Sequence, residues 1–152
     1  MRARELARPY PTVSTDDDAA EAARLVVRER LPALLVLDQN QYPYAIVPGA
    51  RVVQALVPAA VQEDPLLAAV IDDRLDNQVR EAMAGQSVAT WLPRRHLTAA
   101  VVGPAASPMQ IAALMARKDT PIVAVVERNG VQPTLIGAVT TDALIEYFIG
   151  GP

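Results

Sequence analysis

The chain repeats itself, and that constrains its fold more than any single element does. Residues 12–41 align with 101–130 at a constant spacing of 89 residues, without a gap. Seven pairs are identical: Val13/Val102, Ala23/Ala112, Leu25/Leu114, Arg28/Arg117, Pro32/Pro121, Val36/Val125 and Asn40/Asn129. A repeat of this length is one supersecondary unit that cannot bury its apolar face alone, so neighbouring copies must pack on each other.

Local chemistry agrees with the alignment position by position. Asp18 with Glu21, and Ser107 with Gln110, each read as a capping box. There the first side chain accepts from an orphan helix N–H and the Glu or Gln reaches back. Pro108 occupies the first helical position, where a missing N–H costs nothing. The helices predicted to follow present Ala22, Leu25 and Val26, or Ile111, Leu114 and Met115, on one face. Basic residues crowd their last turns, Arg28 and Arg30 in one and Arg117 and Lys118 in the other, which suits the negative end of the helix dipole.

Next in each copy comes an unbroken apolar run, 34–37 or 122–126, of the kind that forms a strand buried on both faces. A turn follows, with Asn129-Gly130 a strong hairpin signal in the second copy. A return strand is predicted at 44–47 or 135–139. A short helix then carries Val52, Val53, Leu56 and Val57, or Leu144, Ile145, Phe148 and Ile149. Each unit is thus strand–helix–strand–strand–helix. Residues 64–83 are predicted to be helical between the copies, with short helices at 3–6 and 87–92 leading into the two units.

Composition removes several function classes. Fourteen basic residues against seventeen acidic ones give a net charge of −3, with no basic stripe to meet a phosphate backbone, so nucleic acid is not expected as a partner. With 4% aromatic residues there is little ring surface on which bases could stack. The chain has no Cys and a single histidine, His96, which removes thiolate zinc sites and cysteine nucleophiles. No nucleophile–base pair or metal set can be assembled, so an enzyme is not expected. The opening residues hold no apolar h-region, and the longest apolar run, 66–71, is far short of the ~20 residues a bilayer span needs. The expectation is a cytoplasmic protein without a membrane partner.

With these features in place, the chain resembles a tandem pair of CBS (cystathionine-β-synthase-type) domains, a Bateman module. The stretches that carry the likeness are TVSTDDDAAEAARLVVRERLPALLVLD with YAIVPGARVVQALV, and VVGPAASPMQIAALMARKDTPIVAVVE with LIGAVTTDALIEYFI. The last is the most diagnostic, since family members commonly carry Gly-hydrophobic-hydrophobic-Thr/Ser-x-x-Asp-Leu there, and Gly137 to Thr140 follow that pattern. The resemblance implies an α/β fold of two βαββα repeats packed with pseudo-two-fold symmetry. Its expected parts are a first repeat over 1–57, a helical connection over 58–86 and a second repeat over 87–152.

The resemblance also implies a regulatory role without catalysis. An adenosine-containing ligand, either an adenine nucleotide (AMP, ADP or ATP) or S-adenosylmethionine, would sit in the cleft between repeats. No cofactor would be required, and a homodimer and a separate effector protein are implied as partners. Adenine would lie near Ala33 and Leu34 or Ile122 and Val123, with ribose or phosphate at Thr140, Thr141 and Asp142 and at Arg51. This sequence departs from the pattern in places. Pro48 stands at the Thr position of the first copy and Arg51 at its Asp position, while Ala143 takes the Asp position of the second, with Asp142 one residue early. Thr and Asp at a helix start are also favoured as N-caps whatever the ligand. The departures keep a rival reading open: a structural dimerisation module with degenerate nucleotide sites.

Overall fold

A computed structural model of the chain describes residues 1–56, 66, 73–92 and 98–150. After a short helix α1 (Ala3–Leu6), the first repeat runs β1 (Thr12–Ser14), α2 (Ala19–Glu29), β2 (Ala33–Leu37), β3 (Pro43–Pro48) and α3 (Gly49–Leu56). Helix α4 (Asp73–Met83) and a 3-10 turn (Val88–Trp91) precede the second repeat. That repeat runs β4 (Val101–Val102), α5 (Pro108–Lys118), β5 (Ile122–Asn129), β6 (Gln132–Thr140) and α6 (Thr141–Gly150). The first part of the helix expected over 64–83 lies outside the described residues, as does His96.

The internal repeat is visible in backbone detail. Each copy is a three-stranded sheet whose middle strand pairs parallel with the first strand and antiparallel with the third. Leu35 faces Thr12 as Ala124 faces Val101, and the ladder slips between Val36 and Leu37 as it does between Val125 and Val126. Both capped helices end on a left-handed residue, Arg30 and Asp119. The next N–H, of Leu31 or Thr120, reaches back to the carbonyl of Val26 or Met115, which satisfies an orphan acceptor of the last turn. The hairpin tips match too, with Gln41 and Gly130 both at positive φ.

Two local expectations are modified. Ser107 and Gln110 form the full capping box, but Asp18 only accepts from the Glu21 N–H. The Glu21 carboxylate instead pairs with Arg24 one turn on, which leaves the reciprocal bond unmade. Strands β5 and β6 also extend beyond the expected 122–126 and 135–139. The tight turn at Gly130 and Val131 keeps the ladder paired out to Asn129 and Gln132.

The middle strands are buried on both sides. Ala33, Leu35 and Leu37 join one apolar core with Ile111, Met115 and residues 122–125 of the second repeat, while Leu34 and Val36 face a second core beneath α2 and α3. Period-two alternation thus sends one face of β2 to each core. The first sheet meets the second repeat through this shared core.

Each short leading helix packs on the other repeat. Ala3 and Arg4 donate backbone hydrogen bonds to Ala106 and Pro104, Arg8 pairs antiparallel with Ala138, and Arg4 forms an ion pair with Glu127. In return, the Val88 and Ala89 amides reach the carbonyls of Asp17 and Thr15, Val88 enters the first repeat's core, and Thr98 bridges to Ala45. The close pairing at Arg8 explains Gly137: a Cβ there would lie 2.3 Å from the Arg8 carbonyl oxygen.

Candidate functional site

Where the middle strands begin and the return strands end, the two repeats leave a cleft of about 1010 Å³ between them. The same local device builds both of its edges. The chain enters the middle strand through Pro32 or Pro121, and that proline's carbonyl accepts the first helical N–H, of Gly49 (3.2 Å) or Thr141 (3.1 Å). Each return strand therefore turns directly into its helix at the rim of the cleft. Helix α3 presents Gly49, Ala50 and Arg51 there, and α6 presents Thr141, Ile145 and Phe148. From α5 come Met115 and Lys118, followed by Asp119 and Thr120.

Of the residues singled out in the sequence, the cleft brings together Arg51 and Thr141. The Arg51 guanidinium donates to the Gln54 side chain at 3.1 Å and is exposed. Thr141 donates its hydroxyl to the Pro121 carbonyl at 3.0 Å. Thr140 is used locally, its Oγ1 accepting the Ala143 N–H at 3.2 Å as an N-cap. Asp142 is exposed on the first turn of α6 and does not line the cleft.

Ala33, Leu34, Ile122 and Val123 lie at the starts of the middle strands, behind the prolines that line the cleft. Their side chains are fully buried in the two cores, because a strand covered on both faces has no side chain left to present to a ligand. The backbone carbonyls of the leading residues already have partners. Tyr10 donates its hydroxyl to the Ala33 oxygen at 2.6 Å, and Thr120 donates to the Ile122 oxygen at 2.8 Å. Burial pushes the Tyr10 phenol up to about 12, so it remains a donor through the neutral range.

Sequence reasoning explained Lys118 by the helix dipole and passed over Asp119 and Thr120. The signal was present in the Pro32/Pro121 identity: the residues that carry the chain into each middle strand sit at the same place on opposite repeats. Lys118 leans toward Thr98, its ammonium 3.5 Å from that carbonyl. Arg51 and Lys118 against Asp119 leave the cleft rim with a single positive charge on a chain of net −3. The rim can therefore receive an anion beside an apolar wall.

Among the described residues no group of three or more His, Cys, Asp or Glu is placed to hold a metal ion. No helix among them is long and apolar enough to cross a membrane.

A pair of βαββ units enclosing a cleft at the starts of their central strands defines a class of paired-repeat modules. The profile of the CBS domain matches residues 3–57. A CBS domain-containing protein of unknown function from Kribbella flavida is 38% identical, with 98% of this chain and 100% of that one covered and a TM-score of 0.80. The chain therefore belongs to the CBS-domain family, as a tandem pair. The CBS-pair protein CBSX2 from Arabidopsis thaliana has the same fold at 17% identity, with 98% and 94% of the chains covered and a TM-score of 0.71. CBSX2 has also been solved in complex with AMP, and that structure matches at 16% identity over 98% and 96% of the chains with a TM-score of 0.65. No protein of curated function matches the sequence.

Proposed function

We propose that this chain is a non-catalytic regulatory module of the cytoplasm that senses an adenosine-containing ligand in the cleft between its repeats. The observation that carries the reading is the convergence of Arg51, Lys118 and Thr141, from opposite repeats, on one cleft with an apolar wall. A cationic rim beside apolar side chains suits a ligand with a phosphate at one end and a base at the other. That balance favours AMP, ADP or ATP over S-adenosylmethionine, whose sulfonium would meet like charge. AMP bound to CBSX2, a protein of the same fold, is consistent with this class. A ligand spanning both repeats would shift their packing, and an effector protein would read the shift through its differential affinity for the two states. We assign 1–57 and 87–152 to the two repeats and 58–86 to their connection.

A second reading is favoured by a different observation. Val53 of α3, Met109 of α5 and Ile145, Phe148 and Ile149 of α6 are all exposed. A homodimer formed through these helices would cover them, and the module would then act as a dimerisation scaffold with no ligand. Pro48, Arg51 and Ala143 in place of the family's polar residues point the same way.

Thermal shift with AMP, ADP, ATP, S-adenosylmethionine, NADH and cyclic dinucleotides separates the two. A ligand at ~100-fold its dissociation constant adds about 2.7 kcal/mol of stability, and Arg51→Ala should remove most of that gain. If no compound moves the melting curve at millimolar concentration, the sensing reading fails and the scaffold reading stands.

A further inference from the structure

The far ends of the two hairpins also meet, at the opposite end of the strands from the cleft. The turn between β2 and β3 and the turn between β5 and β6 enclose a pocket of about 580 Å³, within the ~300–1000 Å³ typical of small-molecule sites. Arg128 crosses between the repeats here. Its Nη2 donates to the Tyr42 hydroxyl at 3.2 Å and its guanidinium carbon lies 5.6 Å from the centre of that ring. A neutral phenol does not cancel the charge, and among the described residues no carboxylate lies within ion-pair distance of Arg128.

Across the pocket stands Asp38. Its Oδ1 accepts the amides of Asn40 (2.8 Å) and Tyr42 (3.0 Å), which fixes the carboxylate at the tip of the first hairpin. Its Oδ2 accepts no hydrogen bond among the described residues. The carboxamides of Asn40 and Gln132 complete the polar lining. The pocket therefore offers one cation and one anion, each fixed by a hairpin and neither neutralised by the other, with neutral donors and acceptors between.

We propose that this hairpin-tip pocket binds a small zwitterion of the free α-amino-acid type, its carboxylate on Arg128 and its ammonium on Asp38. The charge count selects this class. A phosphate or dicarboxylate would leave Asp38 facing like charge, and a simple amine would leave Arg128 unmatched. A guanidinium is also well shaped to meet a carboxylate in bidentate fashion. Because the two charges sit on different repeats, an occupant would tie the hairpins together at the end away from the cleft. The inference does not depend on what the cleft binds.

Amide NMR of the full chain tests it, with each free L-α-amino acid titrated beside its decarboxylated amine and its N-acetylated acid. At least one amino acid should give saturable shifts at residues 38–42 and 128–133, with both truncated analogues weaker. Arg128→Gln, with its melting temperature measured alongside, should weaken binding by about tenfold or more, the cost of one charge-assisted hydrogen bond. Arg51→Gln, in the cleft, should not affect it. The proposal is overturned if no amino acid gives saturable shifts at millimolar concentration, if the shifts map to the cleft, or if Arg128→Gln or the amine binds as well as the parent pair.

Discussion

In the first repeat the opening carbonyl of the middle strand, at Ala33, takes its hydrogen bond from Tyr10, 23 residues away. In the second the equivalent carbonyl, at Ile122, takes it from Thr120, two residues away. The helix starts differ in the same sense. Thr140 caps the helix it precedes, whereas Pro48, in the equivalent place, has no hydroxyl to offer. One repeat closes its cleft edge with a residue two positions away, and the other with a residue that lies before its first strand. Duplication preserved the backbone because apolar pattern and turns dictate it. The polar ends, whose partners the apolar pattern does not dictate, differ between the two copies.

Gly137 and Ala45 sharpen this contrast most, since they occupy the same place on the two return strands. Gly137→Ala drives a Cβ against the Arg8 backbone, where only a shift of the chain can relieve it. Urea unfolding should show a loss of roughly 1–3 kcal/mol, the usual range for overpacking. The reverse change, Ala45→Gly, should cost about 1–2 kcal/mol, from backbone entropy and one buried methyl, with no backbone displacement. Equal losses at the two sites would break the comparison.

Thr140→Val should remove the N-cap and cost about 1 kcal/mol, read in the same unfolding experiment. Pro48→Val should cost less than half as much, since no cap is lost there.

An effect of the same order as the Thr140 cap belongs to Tyr10. Tyr10→Phe leaves the Ala33 carbonyl without its donor and should cost ~0.5–1.5 kcal/mol at neutral pH. Its phenol titrates higher in the folded chain, at about 12, than the ordinary value of 10.0. The stability it contributes is therefore complete below pH 10 and is lost as pH rises toward 12. Wild-type melting temperature should fall more steeply than that of Tyr10→Phe across this window. Parallel curves would remove Tyr10 from the account.

How far the sequence could be read follows from the same division. The spacing of 89 residues, the proline before each middle strand and the Asn129-Gly130 turn are local signals, and the βαββα order follows from them. Arg51 and Thr141 were named only through the family resemblance, and both stand on the rim of the cleft. Tyr10's hydroxyl was not, since nothing near Tyr10 in the chain indicates Ala33 as its acceptor. The crossing of α1 to the second repeat was equally hidden. Its amphipathic turn would pack on either sheet, and what decides is the open edge of β6 where Arg8 pairs. The resemblance places adenine near Ala33 and Ile122, whose side chains lie in the shared core.

The traded leading segments also set how load passes through the molecule. Residues 2–8 are fastened to the second repeat, so a pull at that end reaches Glu127 and Ala138 before it disturbs β1. The 3-10 turn at Val88–Trp91 is likewise moored to the first repeat at Thr15 and Asp17. Each half is held closed by a strap anchored in its neighbour, so tension on either strap is felt first by the opposite half.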